Sequence, residues 1–307
     1  MKKPDIGLTG WQHATNHNRM IDFQQTLIEA PQVADNPSPE TSGDVQLTFF
    51  GSSAFRVTSP SGITIMVDPW RNHPSGKWDW YFADFPVTAV DIGVSTHAHF
   101  DHDALHRLDA SVLLDRLIGA YQFGDVQLHG LADKHATDAS AALYDFRQII
   151  LEFDGIDITP PNNPRSWDNC LVTIETGGLR ILHWGDNRHN PPEAIWNALG
   201  SIDVLLIPVD DTQHVLSFTA VNDIIARLNP ALVVPHHYYT WDVVQRQSTL
   251  QPPDKWLDMH REQIIETGNP HYTINGNRPA EAHKQPPRIL YFADHVAFDT
   301  KAWREAG

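Results

Sequence analysis

The stretch DIGVSTHAHFDHDAL, residues 91–105, constrains this chain more than any other. Its first part is an apolar run of the kind that forms a covered strand. His97, His99, Asp101 and His102 therefore fall just beyond a strand's carboxyl end. DALHRL reads as the start of a helix, with Asp103 near its amino terminus. In an extended turn, residues at i and i+2 point the same way, which puts His97 and His99 together; Asp101 and His102 come next and can face a second position. A single histidine here would be read as a solvated turn residue or a cap. Four donors of this type within six residues at a strand end point instead to a metal site.

Composition limits what else could hold a metal. The 307-residue chain has one cysteine, Cys170, so a thiolate site and a disulfide framework are both excluded, and donors must be His, Asp or Glu. That cysteine usage suits a reducing cytoplasm. No apolar run is long enough to span a bilayer, and MKKPDIGLTGWQHATNHN lacks the apolar core of a signal peptide. A formal charge of −16 disfavours general nucleic-acid binding, which needs clustered Lys and Arg. It leaves open a small-molecule substrate, whose local field bound metal can set.

Along the chain, RMIDFQQTLIEA has helical spacing and DNPSPETSGD is a turn-rich linker, so residues 1–45 read as a helical appendage and 46–307 as the main domain. VQLTFF, AFRVTS and ITIMVDP follow as short strands in a meander. DIGVST, LRILHW, IDVLLIPV and ALVVPHH are buried-strand runs separated by helical stretches, PPEAIWNAL starting near Pro191 and Pro192, and TAVNDIIARL capped by Thr219. The class is mixed α and β, with strands first and strand–helix alternation after.

Residues 97–102, His-Ala-His-Phe-Asp-His, match the H-x-H-x-D-H signature of metallo-β-lactamase-fold hydrolases. Other landmarks of that family recur in order: FFGSSAFRVTSPSGITIMVDPW resembles its opening hairpins and aspartate-proline strand end, LRILHWGDNRH its glycine-aspartate motif, and VVPHHY its final histidine motif. The resemblance runs over about residues 46–240 and is closest to the branch that includes ascorbate-6-phosphate lactonase. It implies an α/β (α+β) fold, a four-layer αββα sandwich with two divalent metals at one edge of its sheets. Asp68, His97, Asp186 and His237 each stand at the end of an expected strand, which agrees with that geometry. Carried over by motif, the family pattern gives the first metal His97, His99 and His135, the second Asp101, His102 and His237, and makes Asp186 the bridge. Zn²⁺ is the first choice for these nitrogen and oxygen donors, with Mn²⁺ or Fe as alternatives. His135 is the ligand with least motif around it: family order asks for one histidine between the first cluster and the glycine-aspartate motif, and His106 and His129 also lie in that interval.

The implied chemistry is hydrolysis of an ester-like bond. Two divalent cations against two carboxylates leave the donor set at about +2, so water between them should lose a proton near neutral pH and attack, and an anionic substrate can be met there. Asp101 would orient that water. Asp68 would take an imidazole N–H of a ligand histidine, or else is a turn carboxylate before Pro69. His183 reads as a packed core histidine. His236 and His237 point to opposite sides of an extended segment, so only one can face the metals, and the family pattern selects His237. His214, in the loop PVDDTQHVLSF, is a candidate for substrate contact or proton transfer, with a solvated turn as the plainer reading. Trp70, Trp78, Trp80 and Trp184 are core residues that could also line a pocket. A lactone, a carboxylic ester or a phosphodiester, including phospholipase-D-like cleavage, fits this pattern. A non-hydrolytic diiron or metal-binding protein is the alternative of another class; the diiron branch typically has glutamate where His99 stands. Residues after about 240 could serve the core, the pocket or a homo-oligomer interface.

Overall fold

A computed structural model describes residues 42–72, 76, 79–136, 169–211, 215–246, 248–276 and 283–301. The expected appendage helix at 19–30, the helix-like segment DASAALYDFRQIILEF, Trp78 and His214 lie outside these residues. Among the described residues, no helix is long and apolar enough to cross a membrane.

The opening meander forms as the alternation implies. Strands β1 (Val45–Phe49), β2 (Phe55–Thr58) and β3 (Thr64–Val67) are successive antiparallel neighbours. β4 (Thr88–Ser95) then joins β3 in parallel, β5 (Leu108–Asp115) joins β4 in parallel, and β13 (His271–Ile274) closes the other edge against β1. The second sheet has eight strands in the order β12-β14-β11-β10-β9-β8-β7-β6. Its antiparallel part is β6 (Gly119–Phe123), β7 (Val126–Asp133), β8 (Asn169–Thr176) and β9 (Leu179–His183). Its parallel part continues through β10 (Val204–Pro208), β11 (Leu232–His236), β14 (Arg288–Tyr291) and β12 (Ile264–Glu266). Every residue of β10 and β11 is buried, as expected of parallel strands covered on both faces.

One apolar core joins the sheets: Leu47, Phe55, Ile65 and Val94 of the smaller pack with Leu171, Ile181, Leu205 and Val233 of the larger. Met66 points away from Ile65 and Val67 and belongs to a second cluster with Phe50, Trp70, Trp80, Tyr81 and Phe85. The mixed α/β sandwich is the fold class that the sequence implies.

Three helices are described: α1 (Glu193–Leu199), α2 (Phe218–Leu228) and α3 (Asp254–Met259). Pro192 is the residue before α1, close to expectation. α2 begins two residues earlier than read, because Ser217 and not Thr219 caps it, accepting the Ala220 N–H. The larger correction is DALHRL. It makes only a single 3-10 turn, Leu105–Arg107, and the chain continues as β5, whose residues 108, 110, 112 and 114 alternate towards cover and extend the ladder of β4. Asp103 does not serve a helix; its carboxylate takes both Arg71 Nε at 2.8 Å and Nη2 at 3.1 Å.

The carboxyl ends of β3, β4, β7, β9, β10 and β11 converge, and one glycine shows how closely. Gly185, just after β9, has φ of +55°, and a Cβ there would lie 2.8 Å from both Asn169 Oδ1 and Thr96 Oγ1. Gly185→Ala should therefore destabilise the fold by about 1–3 kcal/mol. Gly62→Ala, at φ of +93° with open space around it, should cost only backbone strain, about 1 kcal/mol. Urea-unfolding midpoints check this, and equal shifts would refute the close approach.

Candidate metal centre

Asp68 organises the loop that follows β4. It leaves β3 in the left-handed region, φ of +52°, which turns its side chain inwards, and it is fully buried. Its carboxylate accepts the Thr96 N–H at 2.7 Å, the Thr96 hydroxyl at 2.8 Å and His102 Nδ1–H at 2.8 Å. Both ends of the HAHFDH loop are thereby tied to one side chain, and the His102 N–H closes the turn on the His99 carbonyl at 2.9 Å.

The loop gathers donors from the other sheet. Two groups form, His97 with His99 and His135, and Asp101 with His102, Asp186 and His237; within each group the ligand atoms all lie within 4.8 Å of one another. Asp186 stands between the groups: its Oδ2 is 3.4 Å from His135 Nε2, 3.5 Å from His102 Nε2, 3.6 Å from His237 Nε2 and 3.9 Å from His97 Nε2. All seven residues that the family pattern names are thus brought together, six of them buried, with His99 the most open to solvent.

Four of the rings share one arrangement. His97 Nδ1 meets Thr96 Oγ1 at 3.0 Å, His102 Nδ1 meets Asp68, His135 Nδ1 meets the Ala136 carbonyl at 2.8 Å, and His237 Nδ1 meets Asp210 Oδ2 at 3.2 Å. With Nδ1 held by a partner on the outer side, each ring directs Nε2 towards Asp186, which is how ligand imidazoles are oriented. His97 Nε2, His102 Nε2 and both Asp186 oxygens are buried and meet no hydrogen-bond partner. A buried carboxylate left without hydrogen bonds is costly unless a cation meets it. Orphaned lone pairs of hard oxygen and imidazole nitrogen around one point therefore fit divalent metals.

The electrostatics show the same demand. Burial works to raise the pKa of Asp186 and Asp101, yet neighbouring His237 and His102 hold both well below the usual carboxylate range. Burial opposes charge on His102 and His237 too, but Asp186 and Asp101 raise the first well above its usual value, and Asp186, Asp101 and Asp210 push the second up to about 10. His97, buried beside His102 and His99, is pushed well below.

The remaining histidines separate cleanly. His183 and His236 stack behind the cluster with ring centroids 4.7 Å apart, His183 Nε2 donating to the Ser53 carbonyl at 2.9 Å and His236 Nδ1 meeting Ser53 Oγ at 3.1 Å. His236 and His237 do point apart, and it is His237 that reaches Asp101, at 3.2 Å. His129 sits mid-strand in β7, 3.5 Å from Glu175. Trp70, Trp80 and Trp184 are buried, Trp70 stacked on Tyr81. The sequence marks Asp210 and Asp211, with His214, only as a loop after a buried strand, a solvated turn being the plain reading; what it does not show is the contact of Asp210 with His237. Sequence reasoning missed Thr96 and the turn at Ser52 and Ser53. The Ser52 carbonyl accepts the His237 N–H at 3.0 Å across the two sheets.

Known proteins place this arrangement in a family. The profile of the beta-lactamase superfamily domain matches residues 46–237. A Myxococcus xanthus protein named UPF0173 metal-dependent hydrolase is 30% identical over 218 residues, 68% of this chain and 76% of its own length. A relative of the same name from Ignicoccus hospitalis is 29% identical over 66% of this chain and 85% of its own. Among solved structures, a candidate zinc-dependent hydrolase of the metallo-β-lactamase superfamily from Thermotoga maritima superposes with a TM-score of 0.54 at 21% identity, over 80% of this chain and 98% of that one. Sequence motif, fold and family profile agree that the chain belongs to the metallo-β-lactamase superfamily.

Proposed function

We propose that this chain is a binuclear metal-dependent hydrolase that cleaves an ester-like bond in a small molecule, a lactone or a carboxylic ester. The observation that carries the reading is the pair of donor groups flanking one buried, hydrogen-bond-free Asp186 carboxylate. His97, His99 and His135 would hold one divalent ion, and Asp101, His102 and His237 the other, with Asp186 shared. Zinc suits the donors best, manganese or iron next. The names of the bacterial and archaeal relatives support metal-dependent hydrolysis.

Divalent ions bound there supply Lewis acidity and lower the pKa of water towards neutrality. The protein's own part is positioning. Asp68 and Thr96 hold His102 and His97 with Nε2 inwards, and Asn169 Oδ1 accepts the Asp186 N–H at 3.2 Å, which anchors the backbone that carries the carboxylate the two ions would share. Asp101, 3.2 Å from His237 Nε2 and 3.5 Å from His102 Nε2, is the carboxylate placed to accept a hydrogen bond from the attacking water.

Purified protein should carry about two metal equivalents per chain by mass spectrometry and should turn over aryl esters or lactones in a chromogenic panel that also contains β-lactams and phosphodiesters. Stripping with chelator should abolish turnover, and Zn²⁺ or Mn²⁺ should restore it. Asp186→Asn should lower kcat/KM by at least about a hundredfold and reduce metal content, because both ions lose a shared anionic ligand; full turnover and full metal in that variant would sink the binuclear reading. For the adjacent pair, His237→Ala should lose about one equivalent and His236→Ala should keep about two. The reverse outcome would reassign the ligand.

A further inference from the structure

His183 ends β9 three residues before Asp186, and its ring is buried behind the donor cluster rather than within it. Both ring nitrogens are engaged: Nδ1 accepts the Gly185 N–H at 3.1 Å, and Nε2 meets the Ser53 carbonyl at 2.9 Å. A backbone N–H can only donate and a carbonyl only accept, so the ring is neutral and held as one tautomer, with its proton on Nε2. It therefore spans from the turn between β1 and β2 in the smaller sheet to the turn after β9 in the larger.

That second turn carries Asp186. Its consecutive N–H groups are all paired: Trp184 with the Leu206 carbonyl at 2.9 Å, Gly185 with His183, Asp186 with Asn169 Oδ1 at 3.2 Å, and Asn187 with the Trp184 carbonyl at 3.3 Å. Gly185, at φ of +55°, is the residue whose own backbone restrains this turn least, so the bond from its N–H supplies the restraint. Through His183 that restraint reaches Ser53, whose neighbour Ser52 accepts the His237 N–H at 3.0 Å. One turn of the smaller sheet thus bears on two donors of the larger, His237 directly and Asp186 through an imidazole.

We propose that His183 is a positioning residue of the metal centre: it is a strut that transmits the placement of the Ser52–Ser53 turn to the backbone of Asp186, so that Asp186 and His237 are presented to the same ion in register. The inference rests on the reading of Asp186 as a metal ligand. His183 touches no ion itself; it acts on the carboxylate that does. Partners that orient a ligand in this way are typically worth about tenfold or more in metal affinity.

The two bonds of the strut can be cut separately. His183→Asn places an amide oxygen where Nδ1 stands, keeping the Gly185 bond and losing Ser53; His183→Gln places an amide nitrogen near Nε2, keeping Ser53 and losing Gly185. A strut fails in the same way whichever end is cut, so both variants should bind Zn²⁺ about tenfold more weakly than wild type in competition with a chromogenic chelator. Phe55→Leu is the control, because Phe55 packs edge-on against His183 with ring centroids 6.3 Å apart and its loss loosens the same core while leaving both bonds. For an equal fall in urea midpoint, that variant should keep wild-type Zn²⁺ affinity. In the wild type, long-range ¹H–¹⁵N spectra should show His183 with a proton on Nε2 and a bare Nδ1, a readout that needs no variant to fold. A wild type that binds no divalent metal overturns the reading of Asp186 as a ligand and this inference with it. In a wild type that does bind metal, undiminished affinity in either His183 variant, an equal loss in Phe55→Leu, or a His183 proton on Nδ1 would overturn the strut and leave the binuclear reading standing.

Discussion

The buried carboxylates at one edge of the two sheets are the constraint from which the rest of the structure follows. An ionised oxygen removed from water has to be met by hydrogen-bond donors or by cations. Asp68 is met by donors, the Thr96 N–H and hydroxyl and the His102 ring, and in being satisfied it shapes the loop after β4. Asp186 is met by none, although four imidazole nitrogens surround it at 3.4 to 3.9 Å. One aspartate is therefore a structural tie and the other an unfilled electrostatic demand, and the difference lies wholly in their neighbours.

Reaching this arrangement strains the backbone. Ser52, Asp68 and His237 all adopt positive φ, between 51° and 55°, although none is glycine. Such conformations persist where packing and hydrogen bonds over-determine them. Here the determinants are cross-sheet: Ser52 accepts the His237 N–H and the Tyr81 hydroxyl at 3.0 Å each, while Ser53 accepts from His183. The turn between β1 and β2 thus braces the ends of β9 and β11.

What could be read from the sequence follows from the range of each interaction. His97, His99, Asp101 and His102 were legible because their relation is local and the strand before them is a plain apolar run. β10 and β11 were legible because parallel strands covered on both faces need nothing but apolar residues. β5 was not, since Leu105, Leu108 and Val112 carry helical spacing while 108, 110, 112 and 114 carry strand alternation; only the ladder with β4 decides between them. Asp210 was hidden for the opposite reason. Its partner His237 lies 27 residues away, and nothing in PVDDTQH distinguishes a buried carboxylate from a solvated one. Thr96 was overlooked because its role is to hold other side chains.

The placement of donors on the two sheets has a mechanical consequence. His97, His99, Asp101 and His102 all belong to the loop after β4 of the smaller sheet, whereas His135, Asp186 and His237 follow β7, β9 and β11 of the larger. Any cation held by either group would be a cross-link between the sheets, joining chain segments far apart in sequence, and would restrict the unfolded chain as a long-range disulfide does. Loading the centre and keeping the sandwich shut at this edge are then one equilibrium. A chain with a single cysteine would in this way acquire the staple that its composition otherwise denies it.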